Sequence, residues 1–185
     1  MKQFFTRAVY LLLVGLVTTS LFAEPTVYLR PEEALQIIFR DSEEVVSDST
    51  ILTAPQKLEL KKKLGEPLRK ETWNFFIARS GGKIDGYALV DQEVGKTEPI
   101  TFLTALTPDG KVKEVEVLAY REPIGSEVRH KNFLKQYREK RPESPLIVGR
   151  DIQGITGATL SARAVSRGVR RALALWEILY GKEKR

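Results

Sequence analysis

The chain of 185 residues has no cysteine, one histidine and one methionine. Without cysteine there is no disulfide, thiolate metal site, iron–sulfur cluster, C-x-x-C-H haem attachment or lipoprotein anchor. One histidine and no cysteine cannot make a zinc site, so no metal is expected. No Ser or Cys nucleophile motif accompanies His130, which reads as a surface residue on a charged helix rather than a catalytic one. Repeats and low-complexity linkers are also missing. The charge is not balanced: 30 Lys and Arg stand against 24 Asp and Glu, a formal +6. Aromatic residues do not interleave with the basic ones in a nucleic-acid pattern, so nucleic acid is not expected as a partner. The surplus fits an anionic membrane surface, an acidic partner or a bound phosphate. A hydrophobic share of 42% is ordinary for a globular chain.

The N-terminus carries Lys2 and Arg7 with no acid, then an apolar stretch from Ala8 to Ala23, then Glu24-Pro25. A basic start, a short apolar core and a small residue before polar sequence make a secretory signal peptide, with cleavage expected after Ala23. The run is shorter than the roughly 20 apolar residues of a spanning helix. An uncleaved anchor is the alternative. Removing residues 1–23 takes two basic residues with it and leaves +4.

The remaining length suits one domain. Pro31 to Phe39 reads as a helix, with Pro at its first position and acids in its first turn. Pro55 to Leu64, ended by Gly65, reads as a second, with Lys61-Lys62-Lys63 on its exposed face. Trp73 to Arg79, Ser80-Gly81-Gly82 and Ile84 to Val90 read as a hairpin. Ile100 to Leu106 and Val112 to Tyr120 flank a Pro108-Asp109-Gly110 turn. Ser126 is placed as the cap of a helix through Tyr137, with Val128, Phe133, Leu134 and Tyr137 inward. A terminal helix starts near Leu160, with Ala164, Val165, Gly168, Val169, Ala172, Leu173 and Trp176 at helical spacing. Arg163, Arg167, Arg170 and Arg171 fall mostly off that stripe. Trp73 and Trp176 read as core. The order of elements predicts a single α+β domain with a twisted, mainly antiparallel sheet packed by helices. Its boundaries are read as 1–23 leader, 24–70 N-terminal helical segment and 71–185 main domain.

The most informative stretch is Gly154-Ile155-Thr156-Gly157-Ala158-Thr159-Leu160-Ser161, two glycines and three hydroxyls directly before the terminal helix. Glycine lets a backbone approach a ligand closely. The first amides of the helix lack partners inside it, and the dipole there favours negative charge. Such a place suits a phosphate. The competing use of the same residues is a Thr or Ser cap after a glycine turn.

The string Thr156 to Ser161 resembles the [S/T]-G-A-T-x-[S/T] signature of covalent FMN-binding domains. These occur in the flavin-bearing subunits of sodium-pumping NADH:quinone reductase and Rnf complexes, and in small stand-alone exported proteins. Asp151-Ile152 is similar to the family's lead-in. Tyr120 to Glu127 resembles its turn toward the flavin, with Glu122 and Gly125 kept and Pro123-Ile124 between them. Glu98 to Phe102 and Phe133 to Tyr137 are also similar. The likeness spans residues 71 to 180 and is closest to the stand-alone branch.

The resemblance implies covalent FMN, moved from FAD by a flavin transferase onto the hydroxyl of Ser161 as a phosphoester. Thr156, Gly157, Ala158, Thr159, Leu160, Glu122 and Gly125 would be cofactor-binding. The terminal helix would follow the attachment loop. The implied role is an exported, periplasmic or extracytoplasmic electron carrier with membrane or extracytoplasmic redox partners and possible membrane-surface contact. It carries electrons rather than turning over a small substrate of its own. A membrane-anchored flavin subunit of an Rnf-like complex, and an exported binding domain without covalent flavin, stay open beside it.

Overall fold

The computed structural model describes residues 26–66 and 70–181. The expected leader, with its cut after Ala23, lies outside the described residues. Among the described residues, six strands form one antiparallel sheet in the order β1-β6-β5-β4-β3-β2. They are β1 (Thr26–Val27), β2 (Glu44–Ile51), β3 (Thr72–Ser80), β4 (Lys83–Val94), β5 (Pro99–Leu106) and β6 (Val112–Tyr120). The helices described with them are α1 (Pro31–Ile38), α2 (Ala54–Leu64), α3 (Lys131–Leu134) and α4 (Thr159–Leu179). This is the expected α+β domain, and its terminal helix follows the Gly/Thr/Ser loop. No helix among the described residues is long and apolar enough to cross a membrane.

Local chemistry accounts for the elements. Thr53 caps α2, accepting from the Gln56 amide, and Gly65 ends it in the left-handed conformation at φ +73°. β3 and β4 are joined by Gly81 and Gly82, both at positive φ, as a two-residue hairpin turn demands. Side-chain alternation gives the sheet two apolar faces. Phe102 of β5 joins the core beneath α4, while its neighbour Leu103 faces Leu35 and Phe39 of the α1 side. The two faces carry the helices on opposite sides of the sheet. Helix α4 lies close enough on β5 that a β-carbon at Gly168 would stand 1.9 Å from Phe102 Cζ. Trp73 and Trp176 are both buried in this core.

Four features differ from the sequence reading. The 24–70 segment is not only helical: it supplies β1 and β2 to the opposite edges of the same sheet. The helix expected from Ser126 to Tyr137 is three short pieces, 3-10 turns at Ser126–Arg129 and Lys135–Tyr137 around α3. Gly125, not Ser126, precedes the first turn, and no side chain caps it. Val128, Phe133, Leu134 and Tyr137 are nevertheless buried as expected. Arg171 is also buried rather than off the apolar stripe. Its guanidinium bridges Asp91 (2.7 Å) and Glu93 (2.8 Å) and donates to the Gln92 carbonyl. Asp91 and Glu93 are two apart on β4 and so share a sheet face, and the pair ties α4 to that strand. Burial works against the Arg171 charge, but the two carboxylates overcome it and hold its pKa up.

Candidate functional site: a cleft at the start of α4

Where α4 begins, its backbone amides are open. The residue preceding the helix is Ala158, and none of the neighbouring hydroxyls caps it. Gly157 at φ +84° turns the chain into the helix. The first helical bond runs from the Ala162 amide to the Ala158 carbonyl, so the preceding amides point out of the helix end unspent by it. A cap was the competing use of this hydroxyl-rich loop, and the geometry does not supply one.

The helix end opens into a cleft of about 280 Å³, walled by Lys96, Glu122, Ile124 and the Gly157–Ser161 segment. Two large apolar side chains stand exposed on it, Ile124 (70%) and Leu160 (46%). Lys96 is its cationic side chain. Glu122 faces the cleft but is occupied: one carboxylate oxygen accepts the backbone amides of Lys96 (2.5 Å), Thr97 (2.8 Å) and Glu98 (3.1 Å). It clasps the β4–β5 turn to the end of β6.

On the cleft wall, Ser161 is 3% exposed and its Oγ lies 2.8 Å from Tyr120 Oη. Tyr120 Oη is also 2.7 Å from the Ile124 carbonyl. Burial pushes the Tyr120 phenol up, partly offset by its bond to Ser161. The phenol therefore keeps its single proton at neutral pH. A carbonyl can only accept, so that proton goes to Ile124 and the Ser161 hydroxyl donates to Tyr120. Gly125, at φ +101°, fits beneath this pair. A β-carbon there would stand 2.5 Å from Tyr120 Oη and 2.7 Å from Ser161 Oγ.

Of the residues singled out from sequence, Gly157, Ala158, Thr159, Leu160, Ser161 and Glu122 come together on the cleft wall. Gly125 lies directly behind it. Thr156 is exposed in the loop but does not line the cleft. Thr159 is exposed at the first position of α4, in contrast to Ser161. His130 is exposed and does not line this cleft. Asp151 organises the approach to the loop: its carboxylate accepts the amides of Leu146 (3.0 Å) and Ile147 (2.7 Å) and meets Lys140. Although burial opposes ionisation, these hydrogen bonds hold the Asp151 carboxyl below its usual value.

Sequence reasoning missed Tyr120 and Lys96. Strand parity puts Tyr120 on the face opposite Val117. In the structure Thr101 pairs with Ala119 but Phe102 pairs with Val117, so Leu118 is an extra residue. This bulge resets the alternation and turns Tyr120 onto the α4 side.

Known proteins match this chain as follows. Residues 95–174 match the FMN-binding domain family. A component of the proton-translocating ferredoxin:NAD(+) oxidoreductase complex of Clostridium ljungdahlii is 30% identical over 111 residues, 56% of this chain and 59% of that one. The corresponding component of the Na(+)-translocating ferredoxin:NAD(+) oxidoreductase complex of Acetobacterium woodii is 22% identical over 143 residues, 72% of this chain and 69% of that one. The chain thus spans under two thirds of the first relative's length and slightly more of the second's. The crystal structure of Shewanella oneidensis NqrC shares the fold, with a TM-score of 0.57, 17% identity, and coverage of 82% of this chain and 88% of that one.

Proposed function

Through residues 95–174 this chain belongs to the FMN-binding domain family, and from that premise we propose that it is an exported electron carrier holding FMN covalently at the α4 cleft. The observation that carries the proposal is the uncapped start of α4, set in a hydroxyl-rich loop that opens on a cleft. The residues fit the group. Open amides and the helix dipole suit a phosphate, Lys96 adds positive charge, and exposed Ile124 and Leu160 offer an apolar surface for a flat ring. When bound, FMN supplies one- and two-electron redox chemistry, and the protein contributes attachment, orientation and electrostatics.

The ester needs a hydroxyl, and the loop brings two to the cleft. The family resemblance implies Ser161, the final hydroxyl of the signature, which lines the cleft with its Oγ against Tyr120. Thr159, exposed at the first position of α4 on the same cleft, is the alternative acceptor. Among the described residues, no base stands by either hydroxyl in the hydrogen bonds of the cleft, so attachment is assigned to a separate flavin transferase. The relatives named as parts of oxidoreductase complexes support membrane redox partners, and the basic leader supports export.

Intact mass of the protein made with a flavin transferase tests this, beside Thr159→Ala and Ser161→Ala. The wild type should gain the mass of FMN less one water, Thr159→Ala should keep it and Ser161→Ala should lose it. The opposite pattern in the variants moves the ester to Thr159. A wild type that stays unmodified ends the covalent reading and leaves a binding domain without attached flavin.

A further inference from the structure

Beyond the attachment loop, α4 walls a second cleft of about 270 Å³. One side is Arg163, Ser166, Arg167 and Arg170; the other is the Leu146–Val148 segment. At about 100° per residue, Arg163, Ser166 and Arg170 fall within about 60° of one another, with Arg167 at the edge of that face.

The cleft concentrates positive charge without a carboxylate on its lining. Arg163 is exposed and makes no hydrogen bond or ion pair among the described residues. Arg167 bonds Glu93 through Nε and the Val94 carbonyl through Nη2, leaving its other terminal nitrogen free. Arg170 bonds the Leu64 carbonyl through Nη2, but its Nε is buried with no partner. A buried donor left unpaired is costly and calls for an explanation. The facing wall cannot neutralise the arginines. Both carboxylate oxygens of Asp151, which shapes that wall, are engaged by Leu146, Ile147 and Lys140. The volume lies just below the usual range of small-molecule pockets, so it suits a compact anionic group rather than a whole dinucleotide.

We propose that this arginine cleft is an anion site distinct from the flavin cleft, and that it binds a phosphate group. A phosphate offers at least two terminal oxygens and one or two negative charges, which forked guanidinium donors match. The group can come from a soluble phosphomonoester or diphosphate, or from the headgroup of an anionic phospholipid. The site needs no attached flavin, so it stands apart from the function proposed above.

The test uses the unflavinylated full chain. AMP and inorganic pyrophosphate are titrated against it, and phosphatidylcholine vesicles with and without phosphatidylglycerol are added in parallel. Binding is read calorimetrically and from the arginine Nε–H resonances in NMR. Saturable binding of AMP or pyrophosphate, with movement of the Arg170 Nε–H signal, identifies a soluble phosphate source. Binding only to phosphatidylglycerol vesicles identifies a headgroup. In either case Arg163→Gln should weaken binding about tenfold, as expected for a lost charged hydrogen bond, and R163Q/R170Q should weaken it further. Lys61→Gln with Lys62→Gln, on the separate exposed face of α2, should leave it unchanged. Because Arg163 is exposed, its variant should keep the wild-type melting curve. The proposal is overturned if no probe binds saturably, or if Arg163→Gln and R163Q/R170Q bind as the wild type does.

Discussion

Gly125 supports the Ser161 hydroxyl so closely that there is no room for a methyl group between them. A β-carbon on Gly125 would sit 2.7 Å from Ser161 Oγ, and the backbone there has φ +101°. Gly125→Ala therefore meets both a strained dihedral and a clash. It should cost about 2 kcal/mol or more, read as a lower midpoint in denaturant, and it should displace the loop opening onto the α4 cleft. An unchanged midpoint would mean that the turn relaxes freely.

Tyr120 and Ser161 should be energetically coupled. Tyr120→Phe leaves the buried Ser161 hydroxyl and the Ile124 carbonyl without their partner, at about 1–3 kcal/mol. Adding Ser161→Ala removes one of the orphans and should recover part of the loss. A double-mutant cycle in chemical denaturation measures the coupling. Strict additivity would show that the 2.8 Å contact contributes nothing.

Arg171→Met should be among the most damaging single changes in the protein. It leaves Asp91 and Glu93, buried at 5% and 1% exposure on β4, with Lys70 and Arg167 as cationic partners. Breaking one side of a buried pair costs about 3–5 kcal/mol. Chemical denaturation measures the loss, and a midpoint equal to that of the wild type would contradict this account.

Asp151 should give part of the acid limb of stability. Its folded pKa is depressed by the hydrogen bonds from Ile147 and Leu146 and by Lys140, against the opposing effect of burial. The contribution is present above the unfolded value of about 3.9 and is lost as pH falls through the lower folded value. Asp151→Asn should therefore be less stable than the wild type at neutral pH, with the gap closing below about pH 4. Melting temperatures across that range would reveal it, and a gap that widened in acid would reverse the assignment.

Much of this was legible in the chain. The glycines and prolines set the β3–β4 and β5–β6 turns, and the apolar stripe of α4 appears in the buried residues from Ala164 to Trp176. The site loop was legible because its residue types matter to the backbone itself. Other parts were hidden for physical reasons. β2 is a sheet edge whose side chains are nearly all exposed, so it carries no clean alternation. The Ser126–Tyr137 segment has helical spacing but breaks at His130, which is extended at φ −65° and ψ 133°. Tyr120 was concealed by the bulge at Leu118, which inverts strand parity. Arg171 looked solvated because an isolated charge is costly to bury, although Asp91 and Glu93 two apart on β4 were the signal that it had company.

The Tyr120–Ser161 contact joins positions 41 residues apart, and this separation bears on the order of events during folding. Strands β2 to β6 each pair with their sequence neighbour, so the meander can form from local closures as the chain emerges. The cleft cannot. It exists only after α4, the last long element, has docked across β4 and β5 and brought its first turn against the end of β6. An enzyme that recognised the assembled cleft would pass over incomplete chains, and a label added there would mark molecules that had finished folding.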